Sequence, residues 1–320
     1  MKKKSEKYKF SFIVIGKNEG WKLSQCFQSI LFCIKENNIP NYEIIYVDSR
    51  STDDSLERAK NITNIKVFSI TGKCNAAIAR NIGGKEAQGD ILFFLDGDME
   101  LQADFIPAIF DENGMIVHPF ISGIHCHWYY NKEWKFFKTG LSIRKENNWF
   151  RSVTGGFFII TKKLWNAVGG MDSRLIAYED LDLGLRITKK GIRQLVIAKV
   201  GINHHTIAYS DSSRIWKMFQ KYRYIPLPVR NNLLNRFYIP LLLRTHYTAL
   251  LLLVSIILFL LVSHYFILLY VIVVLIRALS KGIQLFIRMA TFYVARDVVF
   301  WWSIFTFFPK KLECKYKIIE

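Results

Sequence analysis

Between Thr245 and Ile276 the sequence contains no Lys, Arg, Asp or Glu. A soluble core helix needs no uncharged run of that length, whereas a bilayer crossing does. Acids are scarce through the whole last third. From Ser212 onward, 15 Lys and Arg stand against 3 Asp and Glu, so +12 of the formal net charge of +18 lies there. Cysteine is sparse as well. Cys26, Cys33, Cys74, Cys126 and Cys314 are odd in number and form no C-x-x-C pair. They read as reduced thiols of a cytosolic protein rather than a disulfide framework. The basic start "MKKKSEKYKF" precedes an apolar stretch too short for a signal peptide. No internal repeat and no low-complexity segment is found. No nucleic-acid reading module accompanies the basic charge, so the expected partner is an anionic lipid bilayer and not nucleic acid.

The first two hundred residues alternate apolar runs with amphipathic stretches. "KFSFIVI", "YEIIYVD", "IKVFSI" and "DILFFLD" read as buried strands. Between them, "GWKLSQCFQSILFCIKEN" carries Leu23, Phe27, Ile30, Leu31 and Ile34 on one helical face. "STDDSLERAKN" opens on capping residues, and "CNAAIARNIGGKEAQ" is helical until its glycines. This order predicts an α/β domain with a mostly parallel, Rossmann-like sheet covered on both faces. "HCHWYYNKEWKFFKTG" reads as irregular, "GGFFIITKKLWNAVGGMD" as a strand and short helix, and "IRQLVIA" as a late strand. Past Ser212 the composition turns basic and aromatic, broken by Pro226, Pro228 and Pro240, as expected of helices lying in a membrane interface. The domains expected are 1–211 catalytic, 212–244 interfacial, 245–286 a transmembrane hairpin turning at Ser263-His264, and 287–320 an interfacial anchor with a basic tail.

"ILFFLDGDME" ends a buried strand in two carboxylates, Asp96 and Asp98. Such ends often serve only the turn. Two acids at this spacing can also share a divalent cation, because hard cations take carboxylate oxygens and keep positions open for phosphate. Open α/β sheets bind ligands beyond the carboxyl ends of their strands. The trio His125, Cys126 and His127 lacks the ligand spacing of a structural zinc site.

Five pieces occur in order: "SFIVIGKNEG", "VDSRSTDDS", "ARNIGGKEAQGDILFFLDGDME", "GGFFIITKKLWNAVGGMD" and "EDLDLGLR". Over roughly residues 8–225 the chain resembles a family-2 glycosyltransferase of the A-type (GT-A) nucleotide-diphospho-sugar transferase fold. The resemblance implies that Asp98 ligates Mn²⁺ or Mg²⁺, with Asp96 on the ribose or the metal and His204 completing the metal shell. It implies that Glu19, Asp48 and Arg80 contact the nucleotide, and that Gly155 and Gly156 admit the donor sugar. The usual partner after Asp48 is replaced by Ser49 and Arg50. Asp180 of the Glu179-Asp180 pair is the implied catalytic base. Asp53 and Asp182 read as helix-terminal charges and Trp165 as core. "QKYRY" resembles the Gln-x-x-Arg-Trp motif of processive synthases with Tyr for Trp, and Arg223 could touch the diphosphate.

The expectation is an inverting, metal-dependent transferase. It would move a sugar from a nucleotide-diphosphate donor to a lipid-linked or membrane-bound acceptor in envelope polysaccharide or glycolipid assembly. Basic flanks on both sides of the uncharged run imply a cell-membrane protein with its catalytic domain on the cytoplasmic face. A processive synthase or an inactive scaffold of a glycan assembly complex are the alternatives.

Overall fold

A computed structural model describes residues 7–131, 133, 135–141, 146–207, 219–280 and 282–319. The chain divides into two units, Met1–Tyr209 together with Lys310–Glu320, and Ser210–Pro309. The boundary expected at 211/212 lies outside the described residues.

The first unit is built on β1 (Phe10–Gly16), β2 (Tyr42–Asp48), β3 (Ile65–Ile70) and β4 (Ile91–Asp96), with α1 (Trp21–Glu36), α2 (Ser55–Lys60) and α3 (Ala76–Glu86) between them. These strands lie parallel in the order β3-β2-β1-β4. Both faces are buried, which is why the strands read as continuous apolar runs. Phe10, Phe12 and Val14 of β1 pack with Leu23, Phe27 and Ile30 of α1. Ile13 and Ile15 pack on the other face with Ile78 and Ile82 of α3 and with Trp165.

Helix α3 does not stop at its glycines. A Cβ on Gly83 would lie 2.3 Å from Ile13 Cγ2, and one on Gly84 2.5 Å from Trp165 Nε1. The pair lets helix and sheet approach closely, which side chains there would prevent.

Further along come β5 (Met99–Leu101), β6 (Phe120–Tyr130), β7 (Phe136–Leu141), β8 (Trp149–Arg151), β9 (Phe158–Thr161), α4 (Lys162–Val168), α5 (Glu179–Thr188) and β10 (Gln194–Ile207). Strand β9 runs antiparallel between β4 and β6, and β10 lies parallel to β6. The stretch expected to be irregular is the eleven-residue strand β6. Its His125, His127 and Tyr129 rings follow one another along one face.

The last element departs furthest from expectation. Strand β11 (Tyr316–Ile319) pairs antiparallel with β3, so the sheet's order is β11-β3-β2-β1-β4-β9-β6-β10-β5. Residues 310–320, expected as a basic tail behind an interfacial anchor, group with the first unit. Ser173 Oγ donates to Leu312 O at 2.8 Å, and Tyr316 Oη donates to Glu86 Oε1 at 2.5 Å while accepting from Lys85 Nζ at 2.9 Å.

The second unit contains α6 (Pro226–Asn232), α7 (Ile239–Leu261), α8 (Phe266–Leu279) and α9 (Phe286–Thr306). Helices α7, α8 and α9 pack on one another. The turn between α7 and α8 holds Ser263 and His264, where the hairpin tip was expected. Helix α7 begins at Ile239, with Pro240 in its first turn, and leaves helical geometry at His246. Among the described residues α7 alone is long and apolar enough to cross a membrane. Helix α8, with 14 residues, rises only about 21 Å, short of a hydrocarbon core of about 30 Å.

Candidate active site

The carboxyl ends of β1, β2 and β4 converge with the start of α5. Asp96 closes β4, and the Gly97 N–H donates to Ile15 O at 2.7 Å, tying the turn to β1. Space there is tight. A Cβ on Gly97 would meet Glu19 Cγ at 2.9 Å, and one on Gly156 would meet Asp96 Oδ2 at 2.2 Å. Gly155 has room for a side chain, its nearest neighbour being His125 Cε1 at 3.7 Å.

Arg80, only 3% exposed, spans the site from α3. Its Nη2 donates to Asp96 Oδ1 at 2.6 Å and its Nη1 to Glu179 Oε1 at 3.3 Å. One guanidinium thus joins the strand-end acid to the helix-start acid. Asp180 Oδ1 accepts the Leu181 N–H at 2.7 Å. Tyr178, just ahead of α5, is left-handed at φ 66°.

Asp98 faces away from Arg80. Its Oδ2 lies 3.2 Å from His204 Nε2 and 4.0 Å from Lys22 Nζ. His127 Nδ1 lies 3.2 Å from His204 Nδ1. Glu19 pairs with Lys22 one helical turn along. Glu19 and Asp98 thus share Lys22. Asp48 is buried, and its carboxylate accepts the Ser51 N–H at 3.1 Å and the Ser69 hydroxyl at 3.4 Å. Arg223 belongs to the second unit, where its guanidinium lies over the rings of Tyr224 and Phe307.

The charges are unevenly settled. Burial pushes the Glu179 carboxyl up to about 7, with Arg80 opposing and Asp180 adding to the rise. Burial also raises Asp180, against its hydrogen bond from Leu181. Glu19 is raised by burial and by the neighbouring Asp98. Burial works against a charged Asp98 too, but His204 and Lys22 outweigh it and hold the carboxyl below its ordinary range. His204 is lifted by the same contact, despite burial.

Three contributors were not assigned to this site from the sequence. Lys22 holds two of the acids. His127 sits opposite His204 in the β6–β10 register, and the alternation of His125 and His127 was the signal for it. Arg151 donates from Nε to Gln194 Oε1 at 2.6 Å, and its Nη2 is buried without a hydrogen bond. Burial lowers it to about 10, with Asp180 acting in the opposite sense. Asp182, read as a terminal charge, is fully buried and also pairs with Arg186 at 2.7 Å. Trp165 is core, 4.7 Å from Phe94 between ring centroids.

Among the described residues no three His, Cys, Asp or Glu side chains are grouped to hold a metal. Asp98 and His204 do converge, and Asp96, expected beside them, is turned onto Arg80. Two protein donors suit a hard divalent cation that keeps water and substrate phosphate as its other ligands.

A mixed sheet, parallel over β3-β2-β1-β4 and again at β6-β10 with the antiparallel β9 between the two blocks, and with acids at the ends of β2 and β4, is the A-type fold of glycosyltransferases. Residues 11–167 match the model of glycosyl transferase family 2. An uncharacterized glycosyltransferase of Haemophilus influenzae is 40% identical over 81 residues, 23% of this chain and 32% of that protein. The amylovoran biosynthesis glycosyltransferase AmsB of Erwinia amylovora is 29% identical over 203 residues, 58% of this chain and 66% of that protein. The chain thus spans under two thirds of these relatives. The crystal structure of GalNAc-T7 with UDP, GalNAc and Mn²⁺ superposes with a TM-score of 0.51 at 16% identity, covering 72% of this chain and 50% of that one. That likeness concerns the fold.

Proposed function

We propose that the protein transfers one sugar, with inversion, from a nucleotide-diphosphate donor to a hydroxyl of a membrane-held acceptor in polysaccharide assembly. The observation that carries this reading is the Arg80 bridge between Asp96 and Glu179. It brings the acid at the donor end of the sheet and one acid at the acceptor end onto one cation. The relative from Erwinia, named for amylovoran biosynthesis, supports the polysaccharide setting.

In this mechanism the acceptor oxygen attacks the anomeric carbon while the bond to the diphosphate breaks, and the electron pair leaves with the diphosphate. Asp180 takes the proton of the attacking hydroxyl. Glu179 is less suited, because Arg80 holds one of its oxygens. Burial raises both carboxyls, so the choice rests on the hold of Arg80 on Glu179. Asp98 and His204 would hold Mn²⁺ or Mg²⁺, which when bound neutralises charge on the departing diphosphate. Arg80 and Lys22 supply fixed positive charge beside the same phosphates. Asp48 shapes the loop after β2 against the base, and Glu19 holds Lys22. The helical unit, with α7 and its basic flanks, would keep the enzyme at a membrane.

A thermal-shift screen of nucleotide sugars with and without Mn²⁺ tests the proposal. A matching donor raises the melting temperature through mass action, and about 100-fold excess over Kd adds about 2.7 kcal/mol. Asp98→Ala should abolish the metal-dependent part of that shift. Equal shifts in wild type and mutant would remove Asp98 from the metal site.

A further inference from the structure

Between Phe219 and Pro309 the sequence has nine Lys and Arg and one acid, Asp297. That acid is fully buried and already engaged. Arg296 donates to its Oδ1 from Nε at 2.9 Å and from Nη2 at 2.6 Å, and Tyr270 donates to its Oδ2 at 3.3 Å. A second guanidinium comes to the same place. Thr248 Oγ1 accepts from Arg296 Nη2 at 2.6 Å and from Arg277 Nη1 at 3.1 Å.

Two arginines from α8 and α9 therefore meet at one hydroxyl of α7, with one carboxylate between them. Arg277 is left with neutral acceptors, the Thr248 hydroxyl and the Thr245 carbonyl, and lies over the rings of Tyr247 and Tyr293 at 4.6 and 4.5 Å. Among the described residues no carboxylate stands within ion-pair distance of it. Arg296 is buried, Arg277 half-buried. Like charges in apolar surroundings repel and are poorly solvated, and the arrangement calls for an anion.

The position says which anion. Thr245 and Thr248 lie at the border where the uncharged run begins, and Arg277 is the first charge after that run. At the border of a hydrocarbon layer the anions on offer are lipid phosphates. A guanidinium fork matches phosphate oxygens, and the aromatic faces hold its plane. We propose that Arg277, backed by Arg296, binds the phosphate group of a membrane lipid. This rests on reading the helical unit as membrane-associated.

The test uses the purified full-length protein in neutral detergent, without donor. The probes are a long-chain isoprenoid monophosphate, phosphatidylglycerol and inorganic phosphate, each read by thermal shift. The wild type should be stabilised by a phospholipid probe, and Arg277→Gln should weaken that binding at least tenfold. Arg288→Gln, which removes the same charge from an exposed position, should change it less than twofold. A response confined to the isoprenoid phosphate assigns the site to a lipid-linked acceptor. An equal response to phosphatidylglycerol assigns it to bulk lipid. Wild-type affinity in Arg277→Gln, or an equal loss in Arg288→Gln, overturns the site. Stabilisation by inorganic phosphate alone also overturns it. Should Arg277→Gln fail to fold, Arg277→Lys decides, since it keeps the charge and loses the fork. A several-fold loss supports the site, and unchanged affinity overturns it. Sedimentation of the wild type with vesicles checks membrane association separately, so a failure of that reading is told apart from a failure of the site.

Discussion

The sheet domain and the helical unit treat buried arginine differently. In the sheet domain Arg80 has a carboxylate on each side, Asp96 and Glu179. In the helical unit Arg277 and Arg296 meet at the Thr248 hydroxyl, and the one carboxylate there, Asp297, is paired with Arg296. The first arrangement has an excess of acid and suits a diphosphate only together with a further cation. The second has an excess of base and suits an anion. The same side chain thus marks opposite ligand chemistry, and the sign of its surroundings carries the information.

Four experiments sharpen or break this contrast. The largest effect is expected at Asp180. Asp180→Asn keeps the shape and loses the base, so kcat should fall by about 10²- to 10⁴-fold with donor affinity unchanged. Rapid-mixing turnover with donor binding measured in parallel checks it, and retained kcat would move the role to Glu179.

Next comes Arg80→Met, which strips both acids of their shared cation. Breaking a buried pair typically costs about 3–5 kcal/mol, so urea unfolding should show a loss of that order. A change under 1 kcal/mol would mean that the bridge is solvated.

Gly156→Ala is the third. Its Cβ would press to 2.2 Å from Asp96 Oδ2, and overpacking of this kind costs about 1–3 kcal/mol. Gly155→Ala has space and should be near neutral. Equal melting temperatures for the two variants would contradict the packing described.

The smallest effect is a pH dependence. Glu179 keeps its proton to about 7 in the folded chain, against an ordinary 4.5. Between those values the native state binds more protons than the unfolded one, so stability falls as pH rises through that window. Glu179→Gln should flatten this part of the melting-temperature profile. An unchanged slope would mean that Glu179 is charged throughout.

Much of the first unit was legible because its strands are buried on both faces and announce themselves as apolar runs ending in acids. Asp96 and Asp98 were legible that way, and Glu179, Asp180 and Arg80 through the resemblance. Strand β6 was hidden because its alternation is carried by His125, His127 and Tyr129 rather than aliphatic residues. The antiparallel β9 has no mark of direction in its sequence, since direction is set by the path of the preceding chain. The glycines of α3 read as a helix end although Gly83 also reads as a close-packing position, because sequence does not tell a glycine that stops a helix from one that seats it. The end of the chain misled most. "KYKII" was read for its charge, whereas its alternation of Lys315, Tyr316, Lys317 and Ile318 is that of a strand.

That strand has a consequence for solubility. An unpaired rim of a sheet is a template for other chains. Pairing with β11 covers β3 and leaves as the outer rim a four-residue strand with an exposed lysine, Lys317, in its middle and Lys315 just before it. Short length and lysine both discourage strand addition. A chain shortened before Lys310 would keep its core clusters of β1, α1 and α3 but bare β3. Its fault would then be concentration-dependent self-association through that rim rather than loss of fold.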